Sequence, residues 1–302
     1  MTLLGFAPTK STLLTSYRDK KLHHAILLHG KKGIGKASFA RAFAEEILEN
    51  KTAIHPDLLL IEKEPEKKEI TVDKIRKIAD FANQTSAISL NKFIIIDSAC
   101  ELNKSAANAL LKILEEPHPN NFLILISHNL NRVLPTIRSR CQIVKIPDLS
   151  SENFTEILRQ SKSPIPAKDF HFLSEICDNS PADAINLGSE LTRFYELFLR
   201  SIYNKKISED LLKKIADKNF PFVIFEKSYE FFIARLLKRL HSSEMNFYFD
   251  EEKVFLNLVK KLSPEEIFTL ASESLSLAHK ALTLSLDKKL NFINIFNRIC
   301  YG

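Results

Sequence analysis

The chain has 302 residues, 45% of them hydrophobic and 26% charged. That balance excludes a disordered polymer and allows two or three domains of about 100–150 residues each. Its 43 lysines and arginines against 37 acidic residues leave a formal net charge of +6, which suits an anionic partner without identifying one, because solvated lysine-rich faces give the same bias. Six glycines are too few for turn-dense sandwiches or propellers. No run of about 18 apolar residues offers a membrane span. The first twenty residues lack the charged start and long apolar centre of a signal peptide, so a soluble cytoplasmic protein is expected. Cys100, Cys141, Cys177 and Cys300 form no CxxC pair and the histidines no HExxH, so isolated buried thiols are expected rather than a zinc or disulfide framework.

In chain order, Ala25–His29 reads as a short apolar strand, followed by a glycine-bearing turn at 30–35. Residues 36–48 read as a helix with Phe39, Ala40, Phe43, Ala44 and Ile47 on one face. A second strand is expected at 57–61, then an exposed charged loop at 62–69 and a helix at 72–81. The runs 93–96 and 122–126 are wholly apolar, as strands buried on both faces are. Between them, 103–116 carries Ala107, Leu110, Leu111 and Leu114 at helical spacing, and Pro117 ends it. A last strand is expected at 142–146. Strand–helix alternation of this kind implies a parallel sheet covered by helices.

Beyond Pro147 the pattern turns helical. Small helices are expected over 150–190 and a helical array over 191–302. Phe225, Phe232, Leu236 and Leu240 share one helical face. Ser263, Pro264 and Glu266 form a capping box. Leu282, Leu286, Leu290, Ile293 and Cys300 mark a final helix. The phenylalanine stripes read as bundle core ahead of a surface for another chain.

Gly30, Gly33, Gly35 and Lys36 meet the G-x4-G-K spacing of a phosphate loop between a strand and a helix. Such a loop turns consecutive backbone N–H groups toward phosphate oxygens, and the helix N-terminus and Lys36 add positive charge. The next position, which should supply a Mg²⁺-binding hydroxyl, is Ala37. Ser38 stands one residue late and is turned by about 100° on a helix. Residues 93–97 read as a Walker B strand ending in Asp97, at the sheet edge where ligands of open α/β sheets gather. In hydrolysing relatives a glutamate follows that aspartate, and here it is Ser98, which cannot take a proton from water as a carboxylate does. With both groups missing, the chain is not expected to be a motor, because phosphoryl transfer relies on positioning and charge compensation. The residues alone leave open whether ATP or ADP is held without hydrolysis.

At this point the chain resembles the AAA+ clamp loaders of bacterial DNA polymerase III. The run KSAANALLKILEEP at 104–117 is similar to the family's signature helix. LPTIRSRC at 134–141 matches its Ser-Arg-Cys motif. His24 and Ala25 ahead of the phosphate loop, and ITVDKIR at 70–76, are also typical, and the likeness covers about 22–141. It implies an α/β fold, with an AAA+ P-loop parallel-sheet domain (1–149), a small helical lid domain (150–190) and an all-α C-terminal collar domain (191–302). Ala37, Ser98 and the Ser180, Pro181, Ala182 triplet, which stands where motor subunits carry a sensor-2 arginine, resemble the delta-prime branch rather than the gamma/tau motor. Many members carry a four-cysteine zinc module, but 51–91 holds no cysteine, so no zinc is expected. The charged loop 62–69 reads as what remains of that excursion.

The resemblance further implies that Arg140 is an arginine finger reaching a neighbouring subunit's ATP, with Arg138 as a second contact. Such an arginine contributes about 10³–10⁵ in rate in finger systems. Ser127, at the end of the strand 122–126, aligns with the sensor-1 position. The implied partners are gamma/tau-like motor subunits and a delta-like clamp-opening subunit, with the sliding clamp and primer–template DNA reached through the complex and the replisome as its location. The expected function is therefore a non-hydrolysing subunit that helps load the clamp during replication. The alternatives are an active AAA+ ATPase motor of the same loader, or a nucleic-acid-binding module acting outside any loader.

Overall fold

A computed structural model describes residues 4–49, 55–64, 67, 69–84, 87–217, 219–242, 244–272 and 288–301. The chain divides into two compact units, one formed by Met1–Ile157 with Ser180–Ala182 and the other by Leu158–Asn179 with Asp183–Gly302.

The first unit is built on five parallel strands: β1 (Ala25–His29), β2 (Leu58–Glu62), β3 (Lys92–Asp97), β4 (Asn121–Ser127) and β5 (Gln142–Lys145), in the spatial order β2-β3-β4-β1-β5. Because side chains alternate along a strand, each central strand feeds two cores. Ala25, Leu27, Ile94, Ile96, Leu123 and Leu125 point to one face, against Ile75 and Ile78 of α3 (Val72–Asn83) and Leu110 and Leu114 of α4 (Lys104–Glu115). Ile26, Leu28, Phe93, Ile95, Ile124 and Ile126 point to the other, against Leu13 of α1 (Ala7–Arg18) and Phe39 and Phe43 of α2 (Lys36–Ile47). The wholly apolar runs are therefore strands covered on both sides, as expected. α4 starts at an Asn103 cap, whose side chain accepts the Ala106 N–H at 2.8 Å. A short helix α5 (Pro135–Arg138) leads into β5.

Two details depart from the sequence expectation. Helix α1 carries no apolar stripe long enough to betray it, since Leu13 is its one buried residue. Asp57 precedes β2 rather than opening it. Its buried carboxylate accepts the N–H groups of Ala87, Ile88 and Ser89 at 2.8–3.0 Å. Burial pushes this carboxyl up, but those donors outweigh it and hold the group below its ordinary range. Of the charged loop expected at 62–69, residues 65, 66 and 68 lie outside the described residues.

The second unit is helical. It includes α7 (Phe170–Ile176), α8 (Pro181–Asn204), α9 (Glu209–Ala216), α10 (Phe222–His241), α11 (Glu251–Lys261), a helix α12 over 264–272 and α13 (Lys288–Tyr301), with α6 (Ser151–Gln160) crossing from the first unit. Helix α8 runs unbroken through residue 190. Phe194, Phe198, Phe225, Phe232, Phe255 and Phe292 are buried and meet in ring contacts with centroids 5.3–6.4 Å apart. The capping box forms: the Glu266 N–H donates to Ser263 Oγ at 3.2 Å and the Ser263 N–H to Glu266 Oε2 at 2.7 Å. In α13 the buried face is Phe292, Ile295, Phe296 and Ile299, whereas Leu290 is 58% exposed. The leucine spacing thus indicated a different stripe, while Leu282 and Leu286 lie outside the described residues. Among the described residues no helix is long and apolar enough to cross a membrane.

A buried ion pair ties this unit together. Arg235 of α10 donates to both carboxylate oxygens of Glu251 at 2.8–3.1 Å and to Glu175 at 2.8 Å, while the Tyr195 hydroxyl donates to Glu251 at 2.6 Å. Removing one partner of such a pair leaves an uncompensated buried charge. Arg235→Met is therefore expected to destabilise the protein by about 3–5 kcal/mol, measured by urea unfolding. A loss below about 1 kcal/mol, typical of an exposed pair, would refute this role.

Candidate functional site

The carboxyl ends of β1, β3 and β4 meet at one edge of the sheet. His29 pairs with Ser127 across β1 and β4, and Asp97 with Ile126 across β3 and β4. The phosphate loop leaves β1 at this edge, and the Gly30 N–H donates to the Ser127 carbonyl at 3.3 Å. Gly33 and Gly35 take φ values of +78° and +99°, a region that favours glycine. Lys36 opens α2 and is 5% exposed. Its ammonium donates to the carbonyls of Gly30 at 2.8 Å and Lys31 at 2.5 Å. Burial pushes its pKa down to about 8, against the opposing pull of Asp97 and Cys100.

The segment Ser180–Ala182 belongs to this unit and closes on the loop. The Ala182 N–H donates to the Gly33 carbonyl at 3.2 Å. A Cβ at Gly33 would lie 2.0 Å from Ser180 Oγ, so only glycine fits there. The triplet singled out by sequence thus lies directly against the phosphate loop.

The metal side is poorer. Ala37 packs against the core and offers no hydroxyl, and Ser38 faces solvent. Asp97 is half-buried at the end of β3, and burial and the nearby Glu62 push its carboxyl up while Lys36 pulls it down. Ser98 is 5% exposed, and its hydroxyl donates to the Ile126 carbonyl at 3.1 Å. Cys100 Sγ and His128 Nδ1 lie 3.2 and 3.3 Å from that hydroxyl and 3.4 Å from each other. Ser127 is fully buried, and its hydroxyl accepts the Asn129 N–H at 3.1 Å. The edge thus gathers the Lys36 ammonium, bound to the carbonyls of its own loop, and the Asp97 carboxylate, but has no hydroxyl at position 37 and no carboxylate at position 98. Sequence reasoning missed the Cys100 and His128 contact. Its signal was the register, since pairing Asp97 with Ile126 sets the residues just beyond them side by side.

Arg140 stands apart from that edge, between α5 and β5. Its NH2 group lies 2.6 Å from Glu115 Oε1 at the end of α4, and NH1 donates to the Thr136 carbonyl at 3.0 Å. The Arg140 side chain is 37% exposed. Ile137 and Cys141 on either side pack against the α3–α4 core, and burial pushes the Cys141 thiol up to about 12, so this cysteine is an anchor rather than a reactive thiol. The Nε of Arg138 is buried and meets no acceptor among the described residues.

A phosphate loop followed by an acid-ended strand, on a parallel sheet of order β5-β1-β4-β3-β2 with helical segments behind it, is the arrangement of an AAA+ P-loop protein. A gamma subunit-related protein of DNA polymerase III from Thermotoga maritima shares this fold, with a TM-score of 0.50 and 21% identity over 98% of both chains. Residues 7–150 match the family described as DNA polymerase III, delta subunit. The delta′ subunit of Pseudomonas aeruginosa is 34% identical over 204 residues, 62% of each chain. That of Bacillus subtilis is 31% identical over 193 residues, 58% of this chain and 57% of its own. The chain thus spans about three-fifths of the length of these delta′ relatives. The gamma subunit of a Buchnera aphidicola strain is 29% identical over 92% of this chain and 76% of its own. Residues 7–150, just under half of the chain, are thus similar to a DNA polymerase III delta family, and the relatives matched at 29–34% identity are delta′ and gamma subunits of that polymerase.

The Lys36 environment has a measurable consequence. In the unfolded chain its ammonium loses its proton near pH 10.4, and in the folded chain near 8. Between those values the unfolded state binds more protons, so the folded state gains stability as pH rises through that window. The positive charge of Lys36 itself is present below about pH 8 and lost above it. An NMR titration of the Lys36 Cε signal is expected to show a midpoint near 8. A midpoint at or above about 10, where unperturbed lysines titrate, would overturn this.

Proposed function

We propose that the chain is a delta-prime-like clamp-loader subunit without ATPase activity of its own, which supplies Arg140 to a neighbouring subunit's ATP and helps load the sliding clamp onto primed DNA. The observation that carries the first half is Ser98. A hydrolysing site needs a carboxylate beside Asp97 to orient water, and here a buried hydroxyl is committed to the Ile126 carbonyl. Ala37 removes the metal's hydroxyl ligand as well. The proposal concerns hydrolysis and holds whether or not ATP or ADP occupies the loop.

The second half rests on Arg140. Its guanidinium sits at the surface on a rigid base formed by Ile137 and Cys141. An arginine presented to an adjoining triphosphate neutralises charge spreading over the transferred phosphoryl group. Arg138 is the second contact in this reading. The delta′ and gamma names of the relatives support gamma/tau-like and delta-like subunits as partners, with clamp and primer–template DNA engaged through the complex. Residues 150–190 act as the lid and 191–302 as the collar. The motor reading draws on the long gamma alignment, but Ala37 and Ser98 both oppose it.

Purified chain with ATP and Mg²⁺ is expected to release no phosphate beyond that of Lys36→Ala. Steady turnover lost in that variant would make the chain a motor and defeat the proposal. In a reconstituted loader, Arg140→Ala is expected to leave folding and assembly intact while lowering DNA-dependent ATP turnover and clamp loading. Unchanged loading would remove Arg140 from the mechanism.

A further inference from the structure

Glu115 is the one carboxylate that Arg140 meets among the described residues, and the chemistry of the contact gives it a role. It closes α4, whose Leu110 and Leu114 are buried beneath the sheet. Arg140 is fixed on the other side by Ile137, 1% exposed, and by Cys141. Carboxylate and guanidinium therefore project from two anchored backbones, one at the end of α4 and the other just after α5. The NH2 group sits 2.6 Å from Glu115 Oε1, and the Thr136 carbonyl takes NH1 at 3.0 Å. Both side chains are open to solvent, 37% exposed for Arg140 and 50% for Glu115.

An exposed pair of this kind adds little to stability. It does remove rotamer freedom from a long side chain that would otherwise sample many directions. The planar guanidinium fork donates to carboxylate and phosphoryl oxygens with the same geometry. A phosphate arriving from outside can thus take the place of Glu115 without the fork being rebuilt.

We propose that Glu115 is the positioning residue of Arg140, holding the guanidinium at the surface and yielding it to the phosphate oxygens of a nucleotide bound by the neighbouring subunit. This rests on the reading of Arg140 as a group acting in trans. It predicts a contribution to the rate of the chemical step rather than to ATP binding, because the neighbour's own residues hold the nucleotide.

The test uses the reconstituted loader with DNA and varied ATP. Glu115→Ala is expected to lower kcat several-fold with KM for ATP unchanged, Glu115→Gln to fall between it and the parent, and Glu115→Asp to recover most of the rate. The double variant Glu115→Ala with Arg140→Ala is expected to be no slower than Arg140→Ala alone, which a merely structural role would not produce. A wild-type rate for Glu115→Ala beside a slow Arg140→Ala would overturn the positioning role and leave the Arg140 reading standing. A faster Glu115→Ala would make the contact a restraint and overturn it as well. A double variant slower than Arg140→Ala would mark Glu115 as structural. A wild-type rate for Arg140→Ala would bring down both readings.

Discussion

The parallel register of β3, β4 and β1 is the constraint from which the site follows. Three strands buried on both faces end at one edge, and the ladder leaves no freedom in which residues become neighbours there. Asp97 stands beside Ile126 and His29 beside Ser127. From that pairing come the Gly30 contact with the Ser127 carbonyl and the Ser98 contact with the Ile126 carbonyl. A one-residue slip would turn each strand's apolar set to the opposite face, and the two packed cores forbid it.

Three cations in the described chain show how burial decides what a charge can do. Arg235 is 5% exposed and saturated by Glu251 and Glu175, so its charge fixes packing and is not exchangeable. Lys36 is equally buried, but it faces the carbonyls of its own loop rather than a carboxylate partner at bonding distance. Its proton is therefore held less firmly, and burial lowers its pKa to about 8. Arg140 is more than a third exposed and bound by an exposed carboxylate. Its contact is the most open to solvent of the three.

Much of the first unit was legible in the sequence. Apolar runs without polar interruption, such as Phe93 to Ile96, announce strands covered on both faces, and the Ala107, Leu110, Leu114 spacing announces α4. Glycine and lysine spacing located the phosphate loop. The parts that were not legible share a physical cause, since each depends on contacts distant in sequence. Helix α1 buries Leu13 alone. Asp57 looks like a strand residue until the Ala87, Ile88 and Ser89 amides close on it. The partner of Arg140 lies 25 positions away, in a motif whose leucines draw attention from the glutamate that ends it. In α13, alternative leucine and phenylalanine stripes compete, and periodicity alone cannot choose which faces the core.

The missing hydrolytic carboxylate is better understood as a property of the surrounding packing than as one altered residue. Position 98 is almost closed to solvent, and its hydroxyl lies between the Ile126 carbonyl, the Cys100 sulfur and the His128 ring. A hydroxyl can donate to that carbonyl, whereas an ionised carboxylate is acceptor-only and would face it with like polarity. A glutamate here would also carry the cost of burying a charge beside Asp97, whose carboxyl is already pushed up by burial and Glu62. The environment of Ser98 is thus matched to a neutral donor. By contrast the surface around Arg140 is built from an anchored turn and an exposed acid, an arrangement suited to presenting charge outward. In the function proposed above, the two sites would divide the labour of a phosphoryl-transfer reaction between chains, with the cutting carboxylate lacking at position 98 and a positive charge offered at Arg140.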